Sequence, residues 1–481
     1  MSMTASKEKE LFENKPVLQA IFNLALPSVI GQIILVLYNL ADTFFVGLTE
    51  NSVMINAVGI CMPVYTMLTA ISNLFGIGGS SVISRSLGKG NVKRAKRASS
   101  FAFWGSLVVS AIYCLVILIF AKPIANVIGG NGDAELINQA ASYLRICVSI
   151  CGIPTVISNL LSHLLRSQGK SLHASLGIGI GGILNIALDP LFIFVICGVE
   201  NAAIGAAIAT GLSNVIAMVY YVVVFIVYKN KLVIDISFTK KIFKDGLIGE
   251  VLTIGLPACL MTLCENISYA ILGNLMGSVD KVNKIPLTGV EVAKKVNMFA
   301  HSVVRGMSQG VLPLIGYNKA SGNRKRMKKV VFTAGGISLG IAIIAAAVNI
   351  IPFSGQGLIS LFLHGSGSSI GDSQQYAYYF LIMFSIGAPF SAVAYTIISF
   401  FQACGKAWRS LILALLRKGI LDIPLMFIIP LIWPTYGIVA ATPIADAICC
   451  GVAIVLFVYY IKRHAKDAIP LENKESLQGA Q

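Results

Sequence analysis

The chain has 481 residues, of which 56% are hydrophobic and 12% charged, where a soluble domain is about 25% charged, so the solvent this composition suits is lipid rather than water. Its formal charge of +16 would fit a nucleic-acid binder, but the basic residues cluster between apolar runs, which points to membrane orientation and away from nucleic acid. The start, MSMTASKEKELFENKP, has no apolar stretch ahead of a small-residue cleavage site, so no cleavable signal is expected.

Twelve apolar stretches follow in chain order. The first six are expected at about 16–47, 53–83, 95–121, 135–165, 168–198 and 203–228, the second six at about 247–277, 286–315, 328–353, 373–402, 405–433 and 437–462. Several exceed the roughly 20 residues that cross a bilayer, so tilt, bending or protrusion is expected. Pro27, Pro154, Pro190, Pro257, Pro389 and Pro424 fall inside them, and a neighbouring helix or polar cavity must satisfy the carbonyls they free. The expected division is a tail at 1–15, an N-lobe at 16–228, a linker at 229–246, a C-lobe at 247–462 and a second tail at 463–481.

The loops fix the expected orientation. Arg85, Lys89, Lys93, Arg94, Lys96 and Arg97 follow span 2, and Lys319, Arg324, Lys325, Arg326, Lys328 and Lys329 follow span 8. Lys229, Lys231, Lys240, Lys241 and Lys244 join the halves, and the turns at Lys170 and Lys406 are basic too. The alternate loops are poor in Lys and Arg, with Lys122, Lys281 and Lys284 as exceptions. The positive-inside rule then puts both termini and all the basic loops in the cytoplasm.

The halves repeat at an offset of 230 to 236 residues: Leu26-Pro27 matches Leu256-Pro257, Gly76 matches Gly306, Gly90-Asn91 matches Gly322-Asn323, Gly169-Lys170 matches Gly405-Lys406, and GAAIAT at 205–210 matches GIVAAT at 437–442. Six spans per half is an even number, so the repeats share one orientation, with an axis along the membrane normal and a cleft between them. The expected fold is an all-α polytopic membrane protein of twelve transmembrane helices in two parallel six-helix repeats.

The runs LALPSVIGQIILVLYNLADTFFVG, GGSSVISRSLGKGN, LLRSQGK, LNIALDPLFIF and VLPLIGYNKASGN resemble the bacterial multidrug and toxic compound extrusion (MATE) transporters, over about residues 12–462. The resemblance implies a V-shaped pair of lobes in the bacterial inner membrane. It also implies antiport of organic cations or drugs against H⁺ or Na⁺, by a chain acting as a monomer without an organic cofactor.

An ionised carboxylate near the bilayer centre costs at least about 2.5–3.5 kcal/mol on insertion scales. Asp42 closes the run Tyr38-Asn39-Leu40-Ala41-Asp42, Asn185 and Asp189 share a helix face, and Thr210 sits in the next span. Two carboxylates, an amide and a hydroxyl would bind Na⁺ through hard oxygens, or share a proton, and the resemblance assigns these positions to an N-lobe cation site. The competing reading puts Asp42 at the outer membrane surface and leaves Asp189-Pro190 as a cap or kink. Gln32, Tyr38 and Asn39 are the substrate-cleft candidates.

Glu265, eight residues after Pro257, resembles the C-lobe cation-site glutamate of the family. The aspartate some members add in span 10 matches Val393 here, which puts a two-carboxylate site in that lobe in doubt. Span 8 carries Glu291, Lys294, Lys295, His301 and Arg305, and span 11 carries Arg417, Lys418 and Asp422. An ion-pair network of Glu265 with Lys295, His301 and Arg305 is expected, against the alternative that some of these side chains snorkel. Arg145 and Arg166, at opposite ends of span 4, read as snorkelling structural residues.

Gly177, Gly179, Gly181 and Gly182 suit close helix packing rather than a phosphate loop, because no strand precedes them. The ten cysteines lack metal or disulfide spacing. No Walker motif appears, which sets ATP aside as the direct energy source. A lipid-linked saccharide flippase is the alternative transporter; it would line the cleft with cations for a pyrophosphate. An intramembrane enzyme lacks a nucleophile–base pair, and a passive scaffold has no use for intramembrane carboxylates.

Overall fold

The computed structural model describes residues 9–129, 133–238, 246–280, 282, 284–363 and 368–465. Lys240, Lys241, Lys244 and Lys281 of the loop reading, and the tails 1–8 and 466–481, lie outside them. The first six spans are α1 (Val17–Gly47), α2 (Ser52–Gly88), α3 (Val92–Ile128), α4 (Ala134–Tyr143, Leu144–Ile150 and Gly152–Ser167), α5 (Ser171–Pro190 and Leu191–Ile196) and α6 (Ala202–Val227). The second six are α7 (Leu247–Val279), α8 (Ile285–Ala320), α9 (Arg324–Ile350), α10 (Ser368–Ala403), α11 (Ala407–Leu415, Leu416–Leu421 and Asp422–Ile428) and α12 (Pro434–Ala465). Among the described residues nine helices are long and apolar enough to cross a membrane, and α4, bent by 47°, makes a tenth. The remaining two are α8 and α11, which carry more polar and charged residues. Together they give the twelve-helix, two-repeat, V-shaped architecture expected.

The helices run past the hydrocarbon. At 1.5 Å per residue the 37 residues of α2 span about 55 Å, against a hydrocarbon core of about 30 Å. Their basic ends therefore stand clear of it. The repeat has a structural meaning at the turns. Gly90 and Gly322 hold φ of +72° and +85°, the left-handed conformation that closes a helix end without a Cβ penalty. Asn91 and Asn323 then cap the next helix, accepting from the Arg94 and Arg326 amides at 2.9 and 3.0 Å. Gly169 and Gly405, φ +89° and +67°, turn α4 into α5 and α10 into α11 in the same way.

The lobes meet through α1 against α8 and α2 against α7. Glycines set how close they come. A Cβ at Gly306 would stand 2.5 Å from Val29 Cα, and one at Gly310 2.5 Å from Ala25 Cα. Cβ atoms at Gly78 and Gly255 would run into the carbonyl oxygens of Val251 and Leu74. At the end bearing the basic loops, Arg85 Nη1 pairs with Glu250 Oε1 at 2.8 Å, Arg94 joins the same carboxylate, and Ser81 Oγ donates to the Gln402 carbonyl at 2.6 Å. The segment before α1 crosses to the other lobe: Phe12 stacks on Tyr317 at 4.8 Å, and Arg326 Nε donates to the Phe12 carbonyl at 2.8 Å. Deepest into the V, Asn73 Nδ2 donates to Thr262 Oγ1 at 2.9 Å and Gln32 Nε2 to Gln309 Oε1 at 3.4 Å. These junction contacts all lie at that level or nearer the basic end, and the V opens the other way.

Candidate functional site

Within the first lobe, α5 and α6 bring three of the four candidate residues together. Asn185 Nδ2 donates to Asp189 Oδ1 at 3.1 Å and to Thr210 Oγ1 at 3.3 Å, and all three side chains are buried. Asn185 and Asp189 are one turn apart on the face of α5 that α6 covers, as their spacing requires. Asp42 comes from α1. The charges of Asp42 and Asp189 act on each other, and Tyr38, Tyr65, Tyr143 and Cys147 surround the Asp42 side. Close approach of α1 to α5 is what permits this: a Cβ at Gly182 would meet Ile34 at 2.7 Å and Tyr38 at 3.4 Å, and one at Gly179 would meet Ile34 at 3.3 Å. The glycine-rich stretch of α5 is thus a packing surface.

Three oxygens of this cluster have no hydrogen-bond partner among the described residues: Asp42 Oδ1, Asn185 Oδ1 and Asp189 Oδ2, each buried. A buried acceptor without a partner is costly. Two carboxylates supplying such atoms form a set of hard oxygens that a Na⁺ ion or a shared proton would satisfy. Wide π-helical turns flank the cluster, Leu191–Ile196 directly after Asp189-Pro190 and Leu144–Ile150 around Cys147. Such turns break the regular i→i+4 ladder and recur at functional sites.

The second lobe is wired differently. Arg305 Nη2 pairs with Glu265 Oε2 at 2.8 Å and reaches Tyr395 Oη at 3.4 Å. His301 lies among the charges of Arg417, Asp446, Glu265 and Lys418. Lys295 sits instead beside Glu291 and Lys294, and Lys294 pairs with Glu291 at 2.8 Å. Glu265 is thus joined with Arg305 and His301, while Lys295 stands apart. Arg417 Nε binds Asp446 Oδ1 at 2.6 Å, its Nη2 donates to Ser391 Oγ at 2.7 Å, and its guanidinium lies 4.4 Å over the Tyr395 ring. Lys418 Nζ and Ser268 Oγ donate to Asp422 Oδ2 at 2.9 and 2.6 Å, and Thr442 Oγ1 donates to Asp422 Oδ1 at 2.9 Å. The Thr442–Asp422 contact between α12 and α11 mirrors Thr210–Asn185 between α6 and α5. In the first lobe that position faces unpaired oxygens; in the second it faces an ammonium the chain supplies itself.

Asp446 was not among the sequence candidates. The repeat contains the signal: GAAIAT and GIVAAT align Thr210 with Thr442, and the same offset aligns Asn214 with Asp446. Ser268, Ser391 and Tyr395 carry no such signal, because hydroxyls are common in apolar spans. Of the cleft candidates, Gln32 lies at the lobe junction against Gln309, Tyr38 lies beside Asp42, and Asn39 donates to the Leu35 carbonyl of its own helix at 2.7 Å. Arg145 is exposed, as a snorkelling residue would be. Arg166 departs from that reading: it is 2% exposed and donates to Gln309 Oε1 of the opposite lobe at 3.1 Å.

Comparison with known proteins bears on these features. The family model described as MatE matches residues 27–191 and again 257–428, so each half matches from the proline of its Leu-Pro onward. The multidrug export protein MepA of Staphylococcus aureus (strain MSSA476) is 28% identical over 476 residues, 98% of this chain and 100% of that protein. MepA of Staphylococcus saprophyticus is 28% identical over 477 residues, with the same coverage. Among solved structures, an outward-facing multidrug resistance MATE family transporter of the MOP superfamily superposes with a TM-score of 0.84 at 23% identity, over 96% of this chain and 99% of that one. A MOP superfamily transporter from Pyrococcus furiosus, described as having a binding pocket of reversed polarity, superposes with a TM-score of 0.82 at 24% identity, over 95% and 98%.

Proposed function

Because the chain belongs to the MatE family of multidrug export transporters, we propose that it is a secondary active antiporter, expelling organic cations or drugs in exchange for H⁺ or Na⁺ by alternating access. The observation that carries the proposal is the trio of unpartnered oxygens on Asp42, Asn185 and Asp189. A cation or proton arriving there relieves the repulsion of two carboxylates, and its loss restores it. The lobes, 16–228 and 247–462, then rock about the glycine-lined junction. With the basic face in the cytoplasm, both termini lie inside and the V opens outward. The membrane is the bacterial inner membrane, and one chain suffices. The MepA relatives, multidrug export proteins by name, support the substrate class. The flippase reading asks for a row of free cations in the cleft; in the second lobe Lys294, Arg305, Arg417 and Lys418 are each engaged by an acid, which favours the exporter.

Asp42→Asn and Asp189→Asn should each abolish gradient-driven dye efflux at matched membrane abundance. The double variant should be little worse than either single, because both carboxylates serve one step. Efflux at wild-type level in either single, or losses that multiply in the double, would sink the shared-site reading.

A further inference from the structure

Among the described residues Arg166 has no counter-charge. Its side chain is 2% exposed, and taking an unpaired guanidinium out of water costs several kcal/mol. Among the described residues no carboxylate acts on it; the ionisable groups that do are Tyr221 and His163. Among the described residues its one hydrogen bond goes from Nη1 to Gln309 Oε1, an atom that also accepts from Gln32 Nε2. Nε and Nη2 have no partner among the described residues. These two donors lie along one edge of the guanidinium, the edge that grips a carboxylate through two parallel bonds. Other buried groups on the same hairpin and its first turns lack partners too: Gln168 Nε2, Ser171 Oγ and Ser175 Oγ. An amide N–H₂ donates and hydroxyls can donate, so the neighbourhood offers protons and wants an acceptor. Ser175 sits against Gly31, next to Gln32, which ties it to the same corner of the lobe junction. Leu11 and Phe12 close over Gly169 in the hairpin turn, sealing the corner from the basic face.

We propose that Arg166 is an anion-binding residue at the lobe junction, gripping a small monoanion through Nε and Nη2, with Gln309 of the opposite lobe holding the other end of the guanidinium. The occupant is chloride or the carboxylate of a transported molecule, which present the same chemistry to the fork. The repeat equivalent is Gln402, in FFQACGK against LLRSQGK, so the second lobe has no such charge. The anion neutralises the guanidinium when the lobes are closed at the basic end. When they part there, Gln309 leaves with its lobe and the corner opens to solvent. The site is separate from the Asp42–Asp189 cluster and stands whichever ion couples transport.

The test is the melting midpoint of the purified full-length protein at fixed Na⁺, pH and ionic strength, with methanesulfonate replaced stepwise by chloride or, separately, by acetate. The midpoint should rise saturably with chloride, acetate or both. Chloride alone identifies an inorganic occupant; acetate alone identifies a carboxylate brought by a transported molecule. Arg166→Gln should melt at one midpoint in all three salts. If Arg166→Gln does not fold, Arg166→Lys keeps the charge but loses the fork, and should need several-fold more anion for the same rise. A wild-type midpoint insensitive to both anions overturns the proposal, as does an unchanged anion response in either variant.

Discussion

Arg417 and Asp446 show how burial sets the weight of a single charge. Their side chains are 1% and 3% exposed, so neither can fall back on water if the other is lost. Asp446→Asn leaves the guanidinium with Ser391 and the Tyr395 ring but no anion, and should destabilise the purified protein by about 3–5 kcal/mol, read as a fall in its unfolding midpoint. Glu265→Gln should cost less, because Arg305 is 37% exposed and water screens what remains. Equal losses in the two variants would show that burial is not what decides. At this scale the sequence was informative where a charge stood in an apolar run: Asp42, Asp189, Glu265, Arg417, Lys418 and Asp422 were all visible there. It was uninformative about partners, since pairing depends on which helix faces which. Thus, of the partners expected for Glu265, it meets Arg305 while Lys295 stands apart, and Arg166, near a helix end, is covered by the opposite lobe instead of reaching the surface.

Among the elements, α7 carries the plainest contrast between a glycine that matters and one that does not. Gly255 faces the backbone of α2 at Leu74, while Gly249, nearly two turns earlier, has open space where a Cβ would go. Gly255→Ala should therefore push α7 off α2 and cost about 1–3 kcal/mol of stability, the usual range for overpacking. Gly249→Ala should leave stability unchanged or slightly raised, since alanine favours helix. Equal melting of the two variants would mean the α2–α7 contact yields freely. Helix positions were legible from apolar runs to within several residues, and the basic ends ran further than expected because hydropathy marks lipid contact rather than helix length. The turns were legible through Gly90-Asn91 and Gly322-Asn323, where one residue type meets a backbone requirement. The bend in α4 and the wide turns in α4, α5 and α11 each lie within four residues of Pro154, Pro190 or Pro424, but a proline in an apolar run marks a disturbed helix without saying that the turn widens.

For the whole molecule, the two lobes share a scaffold but not a charge pattern. The first leaves acidic oxygens unpartnered; the second pairs Glu265, Asp422 and Asp446 with Arg305, Lys418 and Arg417. Under the proposed function, a repeat that differs in this way would give ion exchange to the first lobe and leave the second as the wall against which it moves. Twofold architecture was readable from internal alignment, since that is a one-dimensional signal; the asymmetry needed side chains from several helices in each lobe. The central claim is that a cation gradient, acting at Asp42 and Asp189, drives export, each charge crossing 100 mV being worth about 2.3 kcal/mol. The most direct measurement is uphill dye uptake into everted vesicles holding the wild-type chain, with ATP present throughout, before and after the H⁺ and Na⁺ gradients are both collapsed. Uptake should stop when both are gone and return when the coupling gradient is restored. Uphill uptake that continues with both gradients collapsed would contradict the account.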